Sequence, residues 1–329
     1  MNIKNDLQPI LEVKNLQAML PTRYGMVNAV DKVSLRLHPG KTLGIVGESG
    51  CGKSMLARAI MGILPVRSIV PSESIVNFKA QNLIRMKKAL LRQIIGREIA
   101  MIFQDPMTSL NPVMKIGNQI TEVICYHLKA SRKTAQKRAV TLLDLVGIPM
   151  AKQRANQYPH QLSGGMRQRV MIAMALAGRP DILIADEPTT ALDVTIQAQI
   201  LQLILELQRE TGMAVLFITH ALGVIAQICQ EVSVMYAGQI VEHAPVAMLF
   251  DNPCHPYTKG LLASMPRLTS SHKRPLPIIQ GNVPSMAQLP PGCRFQNRCP
   301  YVMDRCRESM PAPVAAGDDH WARCFLLET

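Results

Sequence analysis

Residues 41–54 read KTLGIVGESGCGKS. The apolar run at 41–47 predicts a strand buried on both faces, and apolar residues at helical spacing follow over 55–64. Between them, residues 47–54 fit the pattern G-x-x-x-x-G-K-[ST], in which glycines let consecutive backbone N–H groups curve around a phosphate at a helix N-terminus. A chance match in a glycine-rich turn is the alternative. The order of strand, loop and helix favours a nucleotide-binding loop.

Each residue of this loop has an expected task. The side chain of Lys53 would reach the β and γ phosphates, and the hydroxyl of Ser54 would contact Mg²⁺. The other residues expected to bind the nucleotide are Gly47, Ser49, Gly50, Cys51 and Gly52. The loop therefore predicts a nucleotide and Mg²⁺ as ligands.

Composition sets the broad class of the protein. Of the 329 residues, 48% are hydrophobic and 18% are charged, which predicts a globular fold and argues against a fibrous or disordered chain. Lysine and arginine outnumber aspartate and glutamate 36 to 23, giving a net charge of +13. Such an excess predicts an anionic partner: nucleotide phosphates, nucleic acid or an acidic membrane surface. The basic runs at 79–97 and 129–138 are equally well explained as solvated helix faces.

Targeting and membrane signals are not found in the sequence. No run approaches the ~18 consecutive apolar residues of a membrane span, so we expect that the chain does not cross a bilayer by itself. The first 20 residues lack the uninterrupted apolar core of a secretory signal. Eight cysteines without such a signal are typical of a reducing compartment, where clustered thiols bind metals or are buried.

Strand and helix patterns alternate along the chain to about residue 245, which predicts an α/β fold with a largely parallel sheet. Apolar runs at 182–186 and 214–219 predict buried strands, and the spacing at 194–209 predicts a helix between them. Residues 231–243 predict a hairpin that turns at Ala237 and Gly238. After about Asp251 prolines and cysteines become frequent, which indicates a separate, loop-rich module.

Two adjacent carboxylates, Asp186 and Glu187, end the predicted strand at 182–186. We expect Asp186 to hold the Mg²⁺ shell and Glu187 to polarise the attacking water. The alternative is an ordinary solvated turn. The phosphate loop favours the catalytic interpretation.

Residues 162–166 read LSGGM and open a predicted helix at 166–177. Ser163, Gly164 and Gly165 would form a second set of anion-binding donors at a helix N-terminus. The phosphate loop already supplies a complete binding site for one γ phosphate, so one chain does not need a second one for the same nucleotide. We therefore expect this segment to serve a nucleotide held mainly by another subunit.

The order of these motifs resembles that of the ATP-binding cassette (ABC) ATPases over residues 10 to 250. The resemblance implies a P-loop NTPase fold of ABC type, with an antiparallel β subdomain and a helical signature subdomain at about 105–178. It implies a nucleotide-binding domain at 1–250 and a small loop-rich extension at 251–329. By the same resemblance Gln104 senses Mg²⁺ and the γ phosphate, Asp193 lies at a dimer interface, and His220 contacts the γ phosphate. Ser163 and Gly165 match the signature that closes over the partner's ATP.

Two further positions follow from this resemblance. Tyr24 lies 29 residues before Lys53, the usual place of the aromatic that stacks on adenine. An exposed loop tyrosine is the alternative. Ala221 departs from the family pattern, because the position after the switch histidine is commonly acidic. The departure affects a local interface contact rather than hydrolysis, since Lys53, Glu187 and His220 are in place.

Four cysteines near the C-terminus have gaps of five, six and seventeen residues: Cys293, Cys299, Cys306 and Cys324. Structural zinc sites usually use closer pairs, and wider gaps suit a four-iron cluster. With the proline-rich segments around them, they look like the C-terminal extension of the oligopeptide/dipeptide (and nickel) branch of ABC importers, where such cysteines hold a 4Fe-4S cluster in some members. Zinc and unliganded thiols are the alternatives. Cys51, Cys125, Cys229 and Cys254 are expected to be buried or incidental.

The leading hypothesis is the ATP-hydrolysing subunit of a peptide-type importer at the cytoplasmic face of the cell membrane. Implied partners are two membrane permeases, a paralogous ATPase or a second copy of the chain, and indirectly a solute-binding protein. The alternative is a soluble ABC ATPase acting on nucleic acid or the ribosome, which the positive charge would suit. It is disfavoured because residues 53–163 contain no heptad run and the chain carries one cassette, so no nucleic-acid partner is expected.

Overall fold

The computed structural model describes residues 8–23, 25–190, 192–265 and 277–328. Within them the strands are β1 (Leu11–Thr22), β2 (Gly25–Leu37), β3 (Thr42–Val46), β4 (Ile75–Phe78), β5 (Gln81–Asn82), β6 (Ile99–Ile102), β7 (Ile182–Asp186), β8 (Ala214–Thr219), β9 (Glu231–Tyr236), β10 (Gln239–Pro245), β11 (Val314–Gly317) and β12 (His320–Ala322).

The helices begin directly after the phosphate loop and recur to the C-terminal extension. They are α1 (Lys53–Met61), α2 (Lys88–Ile94), α3 (Pro106–Ser109), α4 (Ile116–Leu128), α5 (Arg132–Leu145), α6 (Ala151–Arg154), α7 (Gly164–Leu176), α8 (Val194–Thr211), α9 (Leu222–Ile228), α10 (Val246–Asp251), α11 (Pro256–Ala263) and α12 (Asp304–Glu308). Among these described helices, none has the length and apolar character needed to cross a membrane.

The chain divides into two compact units. The first unit consists mainly of His38–Lys41 and Arg85–Phe217, and the second of Pro9–Leu37, Thr42–Ile84 and Ile218–Thr329. The predicted boundary at residue 250 stays a prediction.

The second unit contains an antiparallel sheet with the strand order β2-β1-β4-β5. Leu11 of β1 lies opposite Leu37 on one side and Phe78 on the other, and all three side chains are buried. Alternating buried and exposed residues along β2 place one face on the core and one in solvent, as is typical of antiparallel sheets. This sheet has the antiparallel character that the family resemblance implied.

The phosphate-loop strand belongs to another sheet, whose strands in the second unit follow the order β11-β12-β10-β9-β3. β3 runs parallel to β9, and all five of its residues are buried, as expected for a strand covered on both faces. Gly44 permits close helix packing, since a Cβ there would lie 2.6 Å from Cδ1 of Ile225 in α9. The strand that leads into the loop is therefore held by its pairing with β9 and by the packing of α9 against it.

The predicted hairpin at 231–243 is confirmed as β9 and β10. Ala237 and Gly238 form its turn with φ values of 44° and 87°, the paired positive values of a tight hairpin turn. The C-terminal extension continues the same sheet, because β12 pairs with β10 through Glu242 and Ala322. Composition alone had indicated only a loop-rich module.

The first unit contains β6 and β7, which pair in parallel with Ile99 opposite Ile182. All residues of both strands are buried. Its helices α4, α5 and α7 pack against one another. Gly117 allows α4 to begin close to the backbone, since a Cβ there would lie 2.7 Å from the carbonyl oxygen of Ala155.

Most predicted elements agree with the structure within three residues. The strands at 182–186 and 214–219 coincide with β7 and β8, and the helix at 194–209 extends to Thr211. The helix predicted at 55–64 begins earlier, at Lys53, and ends at Met61 because Gly62 adopts a left-handed conformation with φ of 67°. The helix predicted at 166–177 likewise begins at Gly164, since Ser163 caps it.

Candidate active site

The phosphate loop connects β3 to α1 in the predicted order. Gly50 and Gly52 have φ values of 78° and 107°, which L-residues with side chains rarely adopt. A Cβ at Gly52 would lie 2.2 Å from the carbonyl oxygen of Ala29, and one at Gly47 would lie 2.1 Å from that of Met235. These positions therefore require glycine for steric reasons that the motif alone does not state.

Lys53 lies inside this loop, with 5% of the residue exposed. Its Nζ donates to the carbonyl oxygens of Gly47 at 2.7 Å and Glu48 at 3.0 Å. Cys51 is fully buried beside it, and burial raises the pKa of its thiol. Cys51 is thus a small packing residue whose side chain stays protonated.

Glu48 is anchored from two places far along the sequence. Its backbone N–H donates to the hydroxyl of Tyr257 at 2.9 Å. Its carboxylate accepts two hydrogen bonds from Arg298, at 2.6 Å from Nη1 and 2.9 Å from Nη2. Neither contact was predictable from sequence patterns, since the partners lie 209 and 250 positions away.

The carboxylates predicted for catalysis lie at the end of β7. Asp186 is 2% exposed and Glu187 is 9% exposed. One carboxylate oxygen of Glu187 accepts from Gln104 Nε2 at 3.0 Å and from the Thr190 hydroxyl at 2.8 Å. The structure thus brings together Gln104 and Glu187, which were identified separately, and adds Thr190.

The signature residues lie at the start of α7. Ser163 caps the helix, with its hydroxyl accepting from the backbone N–H of Met166 at 3.4 Å. Ser163 and Gly164 are exposed, and Gly165 packs closely on Ile196, since a Cβ at Gly165 would lie 2.9 Å from Cγ2 of that side chain. The N-terminus of α7 is therefore accessible.

Asp193 and His220 occupy loop positions after strands. The Asp193 carboxylate caps α8 by accepting from the backbone N–H of Ile196 at 2.9 Å. His220 is exposed directly after β8, and the backbone N–H of the following Ala221 donates to the Thr219 hydroxyl at 3.0 Å. Tyr24, predicted to stack on adenine, lies outside the described residues.

The four C-terminal cysteines line one cavity together with His255 and Phe295. Burial is the main reason that the pKa of Cys293 rises to about 11, with smaller contributions from the other three thiols. Burial also raises the pKa of Cys299 and Cys324, and again neighbouring cysteines contribute. The predicted cysteine set is therefore a spatial cluster, although the residues are spread over 32 positions.

A second group with metal-ligand chemistry is Glu242, Cys254 and His320, whose ligand atoms lie within 4.8 Å of one another. Glu242 is fully buried and accepts from the backbone N–H groups of Cys254 and His255 at 2.7 and 2.9 Å. Its Oε1 lies 2.9 Å from Nε2 of His320 on β12. These bonds explain the group as a link between β10 and the extension.

Two family models match the chain. The model described as ABC transporter matches residues 30–190, and the model described as the C-terminal region of oligopeptide/dipeptide transporters matches residues 241–306. The oligopeptide transport ATP-binding protein OppD of Bacillus subtilis is 51% identical, covering 97% of this chain and 89% of that protein. The dipeptide transport ATP-binding protein DppD of the same organism is 49% identical, covering 98% and 96%.

Solved structures of ATP-binding cassettes have a similar fold. The dimeric structure of the ATP-binding cassette MJ0796 in a post-hydrolysis state with ADP and phosphate is 27% identical, with a TM-score of 0.64, and covers 72% of this chain and 98% of that chain. The structure of CbiO1 from Clostridium perfringens, part of the CbiONQ ABC transporter complex, has a TM-score of 0.62 at 27% identity and covers 74% of this chain and 91% of that chain.

The fold and the matches together define an ABC-type ATPase. More closely, the chain belongs to the family of ATP-binding proteins of oligopeptide and dipeptide ABC transporters.

Proposed function

We propose that this chain hydrolyses ATP to drive the uptake of peptides or related small solutes through a membrane ABC importer. The observation that carries the proposal is similarity to peptide transport ATP-binding proteins over 97% or more of the chain, with the C-terminal extension included. That coverage favours transport over a soluble ATPase acting on nucleic acid or the ribosome.

In this proposal the residues of the phosphate loop bind the nucleotide. Backbone N–H groups of the loop surround the phosphates, Lys53 turns from the loop carbonyls to the β and γ phosphates, and Ser54 contacts Mg²⁺. The glycines support this role, because the loop has φ values that residues with side chains rarely adopt and leaves no room for a Cβ at Gly47 or Gly52. When bound, Mg²⁺ would offset phosphate charge, with Asp186 and Gln104 completing its shell.

Glu187 is assigned the water-polarising role, and His220 the contact to the γ phosphate. Hydrogen bonds from Gln104 and Thr190 support the assignment of Glu187, because they orient its carboxylate. A carboxylate held in this way needs little reorganisation when it accepts a proton from water.

We assign Ser163, Gly164, Gly165 and Asp193 to a nucleotide site completed by another ATPase chain, either a paralogue or a second copy. The exposure of Ser163, Gly164 and Asp193 supports this assignment. The other partners would be two permeases, with a solute-binding protein acting indirectly, and the chain would lie at the cytoplasmic face of the membrane. Met107 and Val113, which are 59% and 82% exposed after Gln104, are candidates for the permease contact.

We further propose that Cys293, Cys299, Cys306 and Cys324 hold a 4Fe-4S cluster with a structural or regulatory role. A tetrahedral zinc site with bonds of about 2.3 Å brings its sulfurs to within about 4 Å of one another. Among the described residues, the group whose ligand atoms all lie within 4.8 Å of one another is Glu242, Cys254 and His320. The four C-terminal cysteines do not form such a group. The four thiols line one cavity, which would allow them to bind one shared metal centre.

Anaerobic purification followed by iron and acid-labile sulfide analysis tests this cluster. We expect about four iron and four sulfide per chain, lost in Cys299→Ser but retained in Cys125→Ser, whose thiol lies on α4. About one zinc per chain without sulfide would favour the zinc alternative. If neither iron nor zinc is found, the cysteines are unliganded structural thiols.

Purification of the complex tests the transport function itself. The chain should copurify with two permeases, and peptides should stimulate ATP hydrolysis by that complex. Crosslinks from Met107 that reach only non-membrane proteins would contradict the proposed permease contact.

A further inference from the structure

Arg298 of the C-terminal extension forms a bidentate ion pair with Glu48 of the phosphate loop. The Arg298 side chain is 4% exposed and that of Glu48 is 30% exposed. Such paired N–H to carboxylate bonds fix the geometry of both partners more tightly than a single contact does. The glutamate is thus held by a segment that lies outside the cassette motifs.

The surroundings of Arg298 hold its guanidinium in place. Its Nε donates to the carbonyl oxygen of Gln280 at 3.0 Å, and its Nη1 lies 3.4 Å from the Tyr236 hydroxyl. Tyr236 packs against Tyr257 and Phe295, with ring centroids 4.6 and 5.3 Å away. The Tyr257 hydroxyl in turn accepts from the Glu48 N–H, so the same cluster contacts this residue through both its backbone and its carboxylate.

The charge of Glu48 needs this partner. A nucleotide triphosphate brings several negative charges to the loop, and a carboxylate within the loop repels them unless a cation neutralises it. The guanidinium of Arg298 is always charged in proteins, and its two Nη atoms donate to the two carboxylate oxygens of Glu48. Removing the guanidinium would leave the negative charge of Glu48 uncompensated beside the phosphates.

We propose that Arg298 is a positioning residue for nucleotide binding, which neutralises Glu48 and orients it so that the phosphate loop accepts ATP. The inference rests on the proposed nucleotide site. It gives the extension a direct part in ATP affinity, through a residue between Cys293 and Cys299 of the cysteine cavity.

Binding of a non-hydrolysable ATP analogue with Mg²⁺ to the full chain tests the proposal by calorimetry. Arg298→Gln should raise the Kd about tenfold, because the uncompensated Glu48 carboxylate then faces the phosphates. Glu48→Gln should lower the Kd by a few-fold, since a repelling charge is removed. The double variant Glu48→Gln with Arg298→Gln should return to within about threefold of the wild type.

A purely structural link makes a different prediction. If the pair only attached the extension, Glu48→Gln would weaken binding as much as Arg298→Gln does, and the double variant would not recover. Either result, or an unchanged Kd in Arg298→Gln, would overturn the proposal. If a thermal unfolding control shows that Arg298→Gln does not fold, the Kd of Glu48→Gln still distinguishes the two explanations. A lower Kd than wild type supports the proposal, and a higher Kd overturns it.

Two controls separate this inference from the proposed function. Arg307→Gln removes an exposed arginine of the same extension and should leave the Kd unchanged. Lys53→Ala should abolish binding. A wild-type chain that binds no nucleotide would contradict the proposed function, whereas equal binding by wild type and Arg298→Gln would contradict this inference alone.

Discussion

Glu187 has a left-handed backbone conformation, with φ of 47°, although it carries a side chain. Such a conformation costs roughly 1 kcal/mol for a residue other than glycine and persists where the surroundings enforce it. Here Gln104 and Thr190 both donate to its carboxylate. The strained backbone and the two donors direct one acid side chain, which fits the assignment of this residue to catalysis.

Glu187→Gln should reduce steady-state ATP hydrolysis by the assembled transporter at least about 100-fold, because the amide cannot accept the proton from water. The affinity for ATP should persist, since the phosphate loop is intact, and ATP should trap a closed dimer. Hydrolysis and nucleotide binding are measured on the same preparation. Glu206→Gln on α8 is the matched control, and a wild-type rate in Glu187→Gln would refute the assignment.

At the residue scale, the sequence was most informative where the signal was local. Gly50, Gly52 and Lys53 lie in one short turn, so the motif indicates where the loop is, whereas the close approach of Ala29 to Gly52 is visible only in the fold. The ion pair between Arg298 and Glu48 joins positions 250 apart, so no spacing rule indicates it. Motif order suggested the roles of Gln104 and Glu187, but only the fold shows that their side chains meet.

At the scale of elements, α11 begins at a buried histidine. His255 is 2% exposed, and its Nδ1 accepts from the backbone N–H of Tyr257 at 3.0 Å, which requires a neutral ring. Burial lowers the pKa of His255 from its usual 6.5 to about 3. The unfolded chain therefore binds a proton at this residue below pH 6.5 that the folded chain does not, and stability decreases as the pH falls.

His255→Asn should reduce the pH dependence of stability between pH 6.5 and 5. Asparagine can accept the same helix-capping bond but does not titrate, so the variant should lose less stability than wild type, by about 1.4 kcal/mol per pH unit. Urea unfolding at each pH measures the difference. Burial also lowers the pKa of His243, to about 4. Because His243 is present in both proteins, its contribution to the pH dependence cancels in the comparison. Parallel pH profiles would show that His255 is not the responsible group.

The C-terminal extension shows which element-scale features composition can predict. Its prolines and cysteines predicted a loop-rich segment, and the cysteine spacing selected four residues that line one cavity. The pairing of β12 with β10 was not predictable, because β12 has three residues and its partner lies about 80 positions earlier. A strand this short depends on tertiary partners, here the buried bond between His320 and Glu242.

At the scale of the whole molecule, the proposed assignment of the signature to a shared nucleotide site predicts that one chain is not a complete enzyme. Ser163 and Gly164 present the N-terminus of α7 to solvent. The isolated chain should therefore hydrolyse ATP slowly, with a specific activity that rises with its concentration or on addition of a paralogous partner. Activity is measured across a dilution series with the mass followed by light scattering. Full activity from a strictly monomeric sample would contradict the shared site.

Peptide accumulation in proteoliposomes is the direct measure of whether ATP hydrolysis by this chain drives peptide uptake. The vesicles contain the permeases and the ATPase subunits, with labelled peptides and the solute-binding protein on one side and ATP on the other. Wild-type chain should support ATP-dependent accumulation, and Glu187→Gln should bind ATP without accumulating peptide. Equal accumulation with Glu187→Gln, or ATP hydrolysis that peptides and the permeases do not affect, would contradict the account.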